Sequence, residues 1–152
     1  MEKLNVFLNR MGITLPEEII LRITHSGRNY FLCSEKLTDV KNYVTKDIYS
    51  IGIFLGEEKN DFIPSPAFIE MLSSLPESDK NKIFTNKKAE WLFLCGRSIL
   101  AESMKNPNNI SSGNVFVQNE KNENIGYGFF KQEGKDLVVR NLVDKGKYLR
   151  MD

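Results

Sequence analysis

One histidine and two cysteines in 152 residues remove most of the side-chain chemistry on which enzymes depend. His25 stands in a turn signal, His25-Ser26-Gly27-Arg28, where a nucleophilic Ser/His/Asp or Cys/His system would need it held as a base by a third group. It is read as a solvated turn residue. Cys33 and Cys95 have no CxxC spacing, and with His25 they make only three zinc-type ligands, so a closed structural metal site is not expected. Both cysteines are read as reduced core thiols. GxxxxGK[ST] and GxGxxG are both missing, which leaves no visible cradle for a nucleotide. No apolar run approaches the roughly 18 to 20 residues that span a bilayer, and MEKLNVFLNRMG has too short an apolar part for a signal peptide. Internal repeats and low-complexity tracts are also missing.

Net charge is the other thing in short supply: 21 basic and 20 acidic residues nearly cancel. Their distribution is less even. Up to Phe84 there are 10 basic and 12 acidic residues, and beyond it 11 and 8, so the halves carry about −2 and +3. Arg140, Lys145, Lys147 and Arg150 fall within eleven residues that contain one acid, Asp144. Such a cluster is a candidate phosphate-binding edge, and equally a set of solvated strand-edge charges guarding against edge-to-edge pairing.

What is present is enough apolar material for a core, 41% hydrophobic and 11% aromatic, laid out in helical and extended periods. Leu4, Phe7, Leu8 and Met11 recur at i, i+3, i+4 and i+7, with Gly12 to end the helix. Ile19 to Thr24 and Asn29 to Cys33 read as the two arms of a hairpin. Ser34 caps a helix carrying Leu37, Val40, Tyr43 and Val44, and Ile48 to Leu55 is an apolar strand in which Gly52 marks a bulge or a close backbone contact. Ser65-Pro66 opens a helix through Leu72, and Ser73 to Asn81 is a polar loop. Glu57, Glu58 and Asp61 form an acidic loop, read as solvated rather than as a cation site.

The second half is more distinctive. NKKAEWLFLCGRSIL (86–100) reads as one amphipathic helix with Asn86 as N-cap and Ala89, Leu92, Phe93, Gly96, Ile99 and Leu100 on its core stripe, Gly96 admitting a neighbouring backbone. Trp91 falls off that stripe among other apolar residues and is read as the seam between two domains, because a helix apolar on more than one side needs two partners. In SGNVFVQNEKNENIGYGFF (112–130), Val115 and Val117 alternate with their neighbours, a turn-rich run follows, and Ile125-Gly126-Tyr127-Gly128 resumes the extended pattern.

Together these stretches resemble a PUA domain, a small RNA-binding pseudobarrel. LCSEKL (32–37), YSIGIFLG (49–56) and DLVVRNLVDKGKYLRMD (136–152), with its Asp-x-Gly-x-Tyr-x-Arg ending at Asp144, Gly146, Tyr148 and Arg150, extend the likeness over nearly the whole chain. The chain so resembles the Nip-seven family of ribosome-biogenesis factors, in the compact form that archaeal-type members take. The resemblance implies an α+β fold: an N-terminal α/β domain (1–85) with a mainly antiparallel sheet flanked by helices, then a PUA pseudobarrel (86–152). It implies a monomeric, non-catalytic RNA-binding factor without a cofactor, acting in large-subunit biogenesis and pre-rRNA processing. RNA, U-rich or AU-rich, would meet the second half, and ribosome-assembly proteins the first. Residence would be cytoplasmic, or nucleolar in a eukaryote.

The residues expected to touch RNA are Arg140, Lys145, Lys147, Arg150, Arg97, Lys131 and Tyr127, with Lys87 and Lys88 in reserve. Among the aromatic residues Phe116, Tyr127, Phe129, Phe130 and Tyr148, the two tyrosines best tolerate exposure and are favoured for base stacking. The alternatives are an RNA-modifying enzyme, for which Asp39, Asp47, Asp61 and Asp79 are the only first-half aspartates on offer, and a protein adaptor that makes no RNA contact.

Overall fold

The computed structural model describes residues 1–105, 110 and 113–150. Helix α1 (Glu2–Met11) buries Leu4, Phe7, Leu8 and Met11 and stops at Gly12, whose left-handed φ of 65° returns its amide to Asn9 and Leu8. A short α2 (Glu17–Ile20) follows and takes in Ile19 and Ile20, which were expected to be extended, because Pro16 fixes the backbone just ahead of the first turn. The hairpin is β1 (Ile23–Ser26) and β2 (Asn29–Leu32), with Gly27 and Arg28 between the paired Ser26 and Asn29. Helix α3 (Glu35–Tyr43) is capped by Ser34, whose hydroxyl accepts from the Leu37 amide.

After Gly52 come β3 (Ile53–Glu58) and β4 (Phe62–Pro64), completing an antiparallel sheet in the order β1-β2-β3-β4. Ser65 then caps α4 (Pro66–Ser73), and the expected polar loop is a 3-10 turn at Pro76–Asn81. The second half holds β5 (Lys82–Thr85), α5 (Lys87–Leu94), β6 (Ile99–Leu100), β7 (Met104–Lys105), β8 (Gly113–Gln118), β9 (Asn124–Glu133) and β10 (Asp136–Asp144), then a 3-10 turn at Lys145–Leu149. Its six strands lie in the order β6-β10-β9-β8-β5-β7, antiparallel except where β5 runs parallel to β8. The architecture is thus α+β, an antiparallel sheet with helices followed by a near-barrel. Strand β5 precedes residue 86 yet hydrogen-bonds within the second sheet.

Strand β8 explains how the halves are joined. Val115 and Val117 point into the core of the near-barrel with Ile83, Ala89, Phe93 and Val139. Phe116, on the opposite phase, enters the first core with Phe7, Phe62, Phe68 and Leu72, and Tyr127 and Val143 join it there. Phe7 is the central contact, 5.4 Å from Phe62, 6.3 Å from Phe68 and edge-on to Tyr127 at 5.8 Å. The seam is therefore Phe7 against Tyr127 and Phe116.

Trp91 is not in it. That side chain is 64% exposed, so the seam expected there is corrected. Other expectations also give way: Ile99 and Leu100 leave the α5 helix for β6, Cys95 is exposed while Cys33 is buried, and Leu37, Val40, Tyr43 and Val44 face solvent. Periodicity marks an apolar stripe, but burial needs an element to cover it, and none of the described elements covers that side of α3.

Burial makes Tyr127 a titration marker for the shared core. Loss of solvent, reinforced by the negative charge of Asp61, pushes its hydroxyl up to about 12. An unfolded tyrosine ionises near 10. The folded state therefore keeps a proton that the unfolded state sheds, and stability present below pH ~10 is lost as the pH rises towards ~12. Tyr127→Phe should flatten the alkaline fall in melting temperature over that window. It should not abolish the fall, because burial and Glu58 also raise Tyr30 to about 12. An alkaline limb identical to wild type would mean that Tyr127 is not held in the core.

Candidate nucleic-acid interface

Helix α5 and the C-terminal turn are bound into one unit by side chains that meet at the end of the helix. Asn86 caps its start by accepting from the Ala89 amide at 2.8 Å. At the other end the Asn141 side-chain amide donates to the Phe93 carbonyl at 2.7 Å, and the Arg150 guanidinium donates to the Leu94 carbonyl. The Phe93 carbonyl also accepts from the Gly96 amide at 2.8 Å, and a cation beside the Leu94 carbonyl is favoured by the helix dipole. Arg150 also makes a two-pronged pair with Asp144, both contacts at 2.9 Å. That pairing holds the guanidinium in its charged form to still higher pH than usual. Asp144, 3% exposed, is almost wholly enclosed by it.

Asp144, Gly146 and Arg150 of the terminal motif are thereby given structural roles. Gly146 lies where a Cβ would overlap the Leu94 carbonyl oxygen, so only glycine lets the turn rest on the helix end. Tyr148 is the motif residue left over, and it is exposed. The Gly126-x-Gly128 pair is structural in the same sense: a side chain at either position would run into the backbone of β10, at the Val143 or the Arg140 carbonyl.

The residues expected to meet RNA thus divide. Tyr127 is 7% exposed and sits in the shared core, so it presents no ring for a base, which corrects its assignment. Its strand phase points inward where the first half covers the sheet, a long-range fact that local alternation does not carry. Arg140 and Lys131 share the Glu133 carboxylate, at 2.7 and 3.0 Å, and together hold it below the usual carboxylate range. They lie along β9 and β10, apart from the terminal turn. Lys145 pairs with Glu70 of α4 at 3.0 Å across the two halves, a surface pair of the kind that exchanges readily with water or phosphate. Lys147, Arg97, Lys87 and Lys88 are exposed and make no ion pair among the described residues. Arg97 directly follows Gly96, against which the Arg150 guanidinium packs.

Between α5 and the turn the surface opens into a cavity of about 460 Å³, lined by the apolar Trp91, Leu94 and Leu149, by Cys95 and Gly146, and by the cations Lys145 and Arg150. Trp91 and Leu149 were missed as functional candidates. The signal for Trp91 is its place off the Ala89–Phe93 stripe, which points to exposure as readily as to a second buried face. The acidic loop is accounted for by ion pairs: Glu57 with Lys59, Glu58 with Lys3, and Asp61 with Arg10.

Comparison with known proteins gives the family. A UPF0113 protein of Archaeoglobus fulgidus is 30% identical over 169 residues, spanning 92% of this chain and 95% of that one. The chain belongs to the UPF0113 family. The family's PUA domain model matches residues 81–152 of this UPF0113 member, from just before β5 to the end. A conserved PUA domain protein of Thermoplasma acidophilum, whose structure is solved, is 17% identical, with 95% of this chain and 91% of that chain covered and a TM-score of 0.47. The PUA domain is an RNA-binding module. In this UPF0113 chain the exposed cations and the tryptophan around α5 and the terminal turn are therefore the candidate surface for RNA. No helix among the described residues is long and apolar enough to cross a membrane.

Proposed function

We propose that the protein is a non-catalytic RNA-binding factor of the Nip-seven type, acting in large ribosomal subunit biogenesis and pre-rRNA processing. Its PUA half would hold the RNA and its first half would meet assembly proteins. The observation that carries the reading is the match of residues 81–152 to a PUA domain whose helix α5 and C-terminal turn expose Lys147, Arg97 and Trp91, with Lys145 half-buried beside Glu70. Two first-half aspartates weighed for catalysis are engaged in ion pairs, Asp61 with Arg10 and Asp79 with Lys82, which is consistent with structural work. Recognition would rest on phosphate neutralisation and RNA shape, with the cations positioning the strand rather than reading its bases. The exposed apolar side of α3 offers the first half a surface for protein contact.

Salt dependence tests the mechanism, and the full chain is the right material because the halves share a core. Replacing Lys145 and Lys147 by Ala should flatten the slope of log K against log salt by roughly 1 to 1.5, at ~0.7 per lost contact on a single strand. Affinity should fall similarly for all sequences, and the melting temperature should hold. Arg140→Ala should change the slope less, since Glu133 already occupies that guanidinium. An unaltered slope in the double variant would remove these lysines from the interface. Mapping of crosslinked RNA from cell extract onto large-subunit precursor rRNA would support the pathway, and a map onto tRNA would sink it.

A further inference from the structure

We propose that the cavity between α5 and the C-terminal turn receives one unpaired nucleobase of a single-stranded RNA, stacked on the indole of Trp91. This rests on the RNA-binding reading and gives it a substrate class: strand with at least one base free of pairing, not continuous duplex.

Three observations lead there. Trp91 is the chain's one tryptophan and is 64% exposed, beside Leu149 at 87%. Apolar surface of that size, set at a cavity of about 460 Å³, is of the order that takes a small planar ligand. Next, the cavity lining carries two cations, Lys145 and Arg150. Lys145 is paired at 3.0 Å with the exposed Glu70, a surface pair that a phosphate can displace, and Asp144 is closed off beneath the guanidinium.

The third observation concerns the donors of Arg150. Its two Nη1 protons are directed to Asp144 and Leu94, and one Nη2 proton to Asp144. Of the five N–H groups of a guanidinium, the Nε–H and one Nη2–H therefore have no acceptor among the described residues. They lie on one edge of the guanidinium, held in a fixed plane by the Asp144 pair, ready to grip one phosphate next to an inserted base. An apolar protein side chain would fill the same cavity but would set these Arg150 donors against apolar surface, which is costly. Base, sugar and phosphate satisfy wall and edge together. Because every base has a π-face, the pocket would be tolerant of sequence.

Trp91 reports on its own occupancy, since no other indole contributes to emission. Full-length protein would be titrated with short uridylate and adenylate strands and with duplex RNA of equal length, following tryptophan emission and mobility shift in parallel. Single strands should quench emission in step with binding, and duplex should not. Trp91→Ala should weaken single-strand binding by about 5- to 150-fold, and Trp91→Phe by less, with the melting temperature of both close to wild type because the side chain is exposed. Bound strand should also slow alkylation of Cys95, which lies in the cavity, while Cys33 stays unreactive in its buried position. Strands that bind Trp91→Ala as tightly as wild type, without quenching the wild type, would overturn the base pocket and leave RNA binding intact. Failure of every RNA to shift the wild-type protein would instead sink the RNA-binding reading. An emission shift to the blue with an apolar peptide, and none with any strand, would assign the cavity to a protein side chain.

Discussion

Phe7→Ala should lower the melting temperature by roughly 6 to 20 °C, and it should do so for both halves of the chain at once. Removing a buried phenylalanine costs about 3 to 5 kcal/mol, and at this chain length each kcal/mol moves the midpoint by roughly 2 to 4 °C. Phe7 is 3% exposed and is the residue through which α1 touches Phe62, Phe68 and Tyr127 together. Its edge-on contact with Tyr127 crosses from the first half to the second, so the variant opens a hole at the seam as well as under the first sheet. The readout can separate the halves, because Trp91 lies in the second while the substitution lies in the first. Unfolding followed by Trp91 emission should shift together with unfolding followed by circular dichroism. A Trp91 transition that stayed at its wild-type midpoint while the ellipticity melted early would show two independent units and a seam that carries no energy. Cutting the chain at residue 84 or 85 should likewise leave two poorly folded pieces, since the cut leaves β5 on the first half's chain, severed from the second half whose sheet it pairs in, and uncovers Phe116, Tyr127 and Val143.

That coupling marks the limit of what local sequence could convey. The elements set by a few adjacent residues were legible: the caps at Ser34, Ser65 and Asn86, the stop at Gly12, and the hairpin turn at Gly27-Arg28 each depend on contacts within about four positions. The α+β class and the near-barrel were expected from the resemblance to a PUA domain rather than from those elements alone. Inferences that needed a partner far along the chain fared unevenly: the stripe of α1 and the close contact at Gly52 hold, but others failed. Trp91 and the stripe on α3 look core-facing by period, yet exposure depends on whether another element arrives, and period is silent on that. Tyr127 looks exposed by residue type but is covered by α1, 120 residues earlier, through Phe7. Among the basic residues the cluster was legible, but not its counter-charges: Glu70, Glu133 and Asp144 decide which of Lys145, Lys131, Arg140 and Arg150 are engaged already. Arg150 shows the consequence most clearly, for a residue read as a phosphate contact is first of all the clasp that holds the terminal turn to α5.

Gly146→Ala should undo that clasp. A methyl group there would overlap the Leu94 carbonyl oxygen and come within 2.8 Å of the Arg150 Nη1. The guanidinium could swing aside, but the carbonyl belongs to the last turn of α5 and is fixed by the helix behind it, so the 145–149 turn has to lift. Lifting breaks the Arg150 bond to Leu94 and strains its pair with Asp144, which is then left as a buried carboxylate with a looser partner. The overpacking cost is about 1 to 3 kcal/mol, a fall of roughly 2 to 12 °C in the melting midpoint. The turn should become a preferred site of proteolytic cleavage, and affinity for single-stranded RNA should drop, because the cavity loses the wall that carries Lys145, Leu149 and Arg150. Lys145→Ala and Lys147→Ala separate position from charge: they should weaken binding with the melting temperature and the cleavage pattern unchanged. If Gly146→Ala kept both the wild-type midpoint and the wild-type resistance of the turn, the turn would not be seated on the end of α5, and the cavity, which exists only because it is seated there, would go with it.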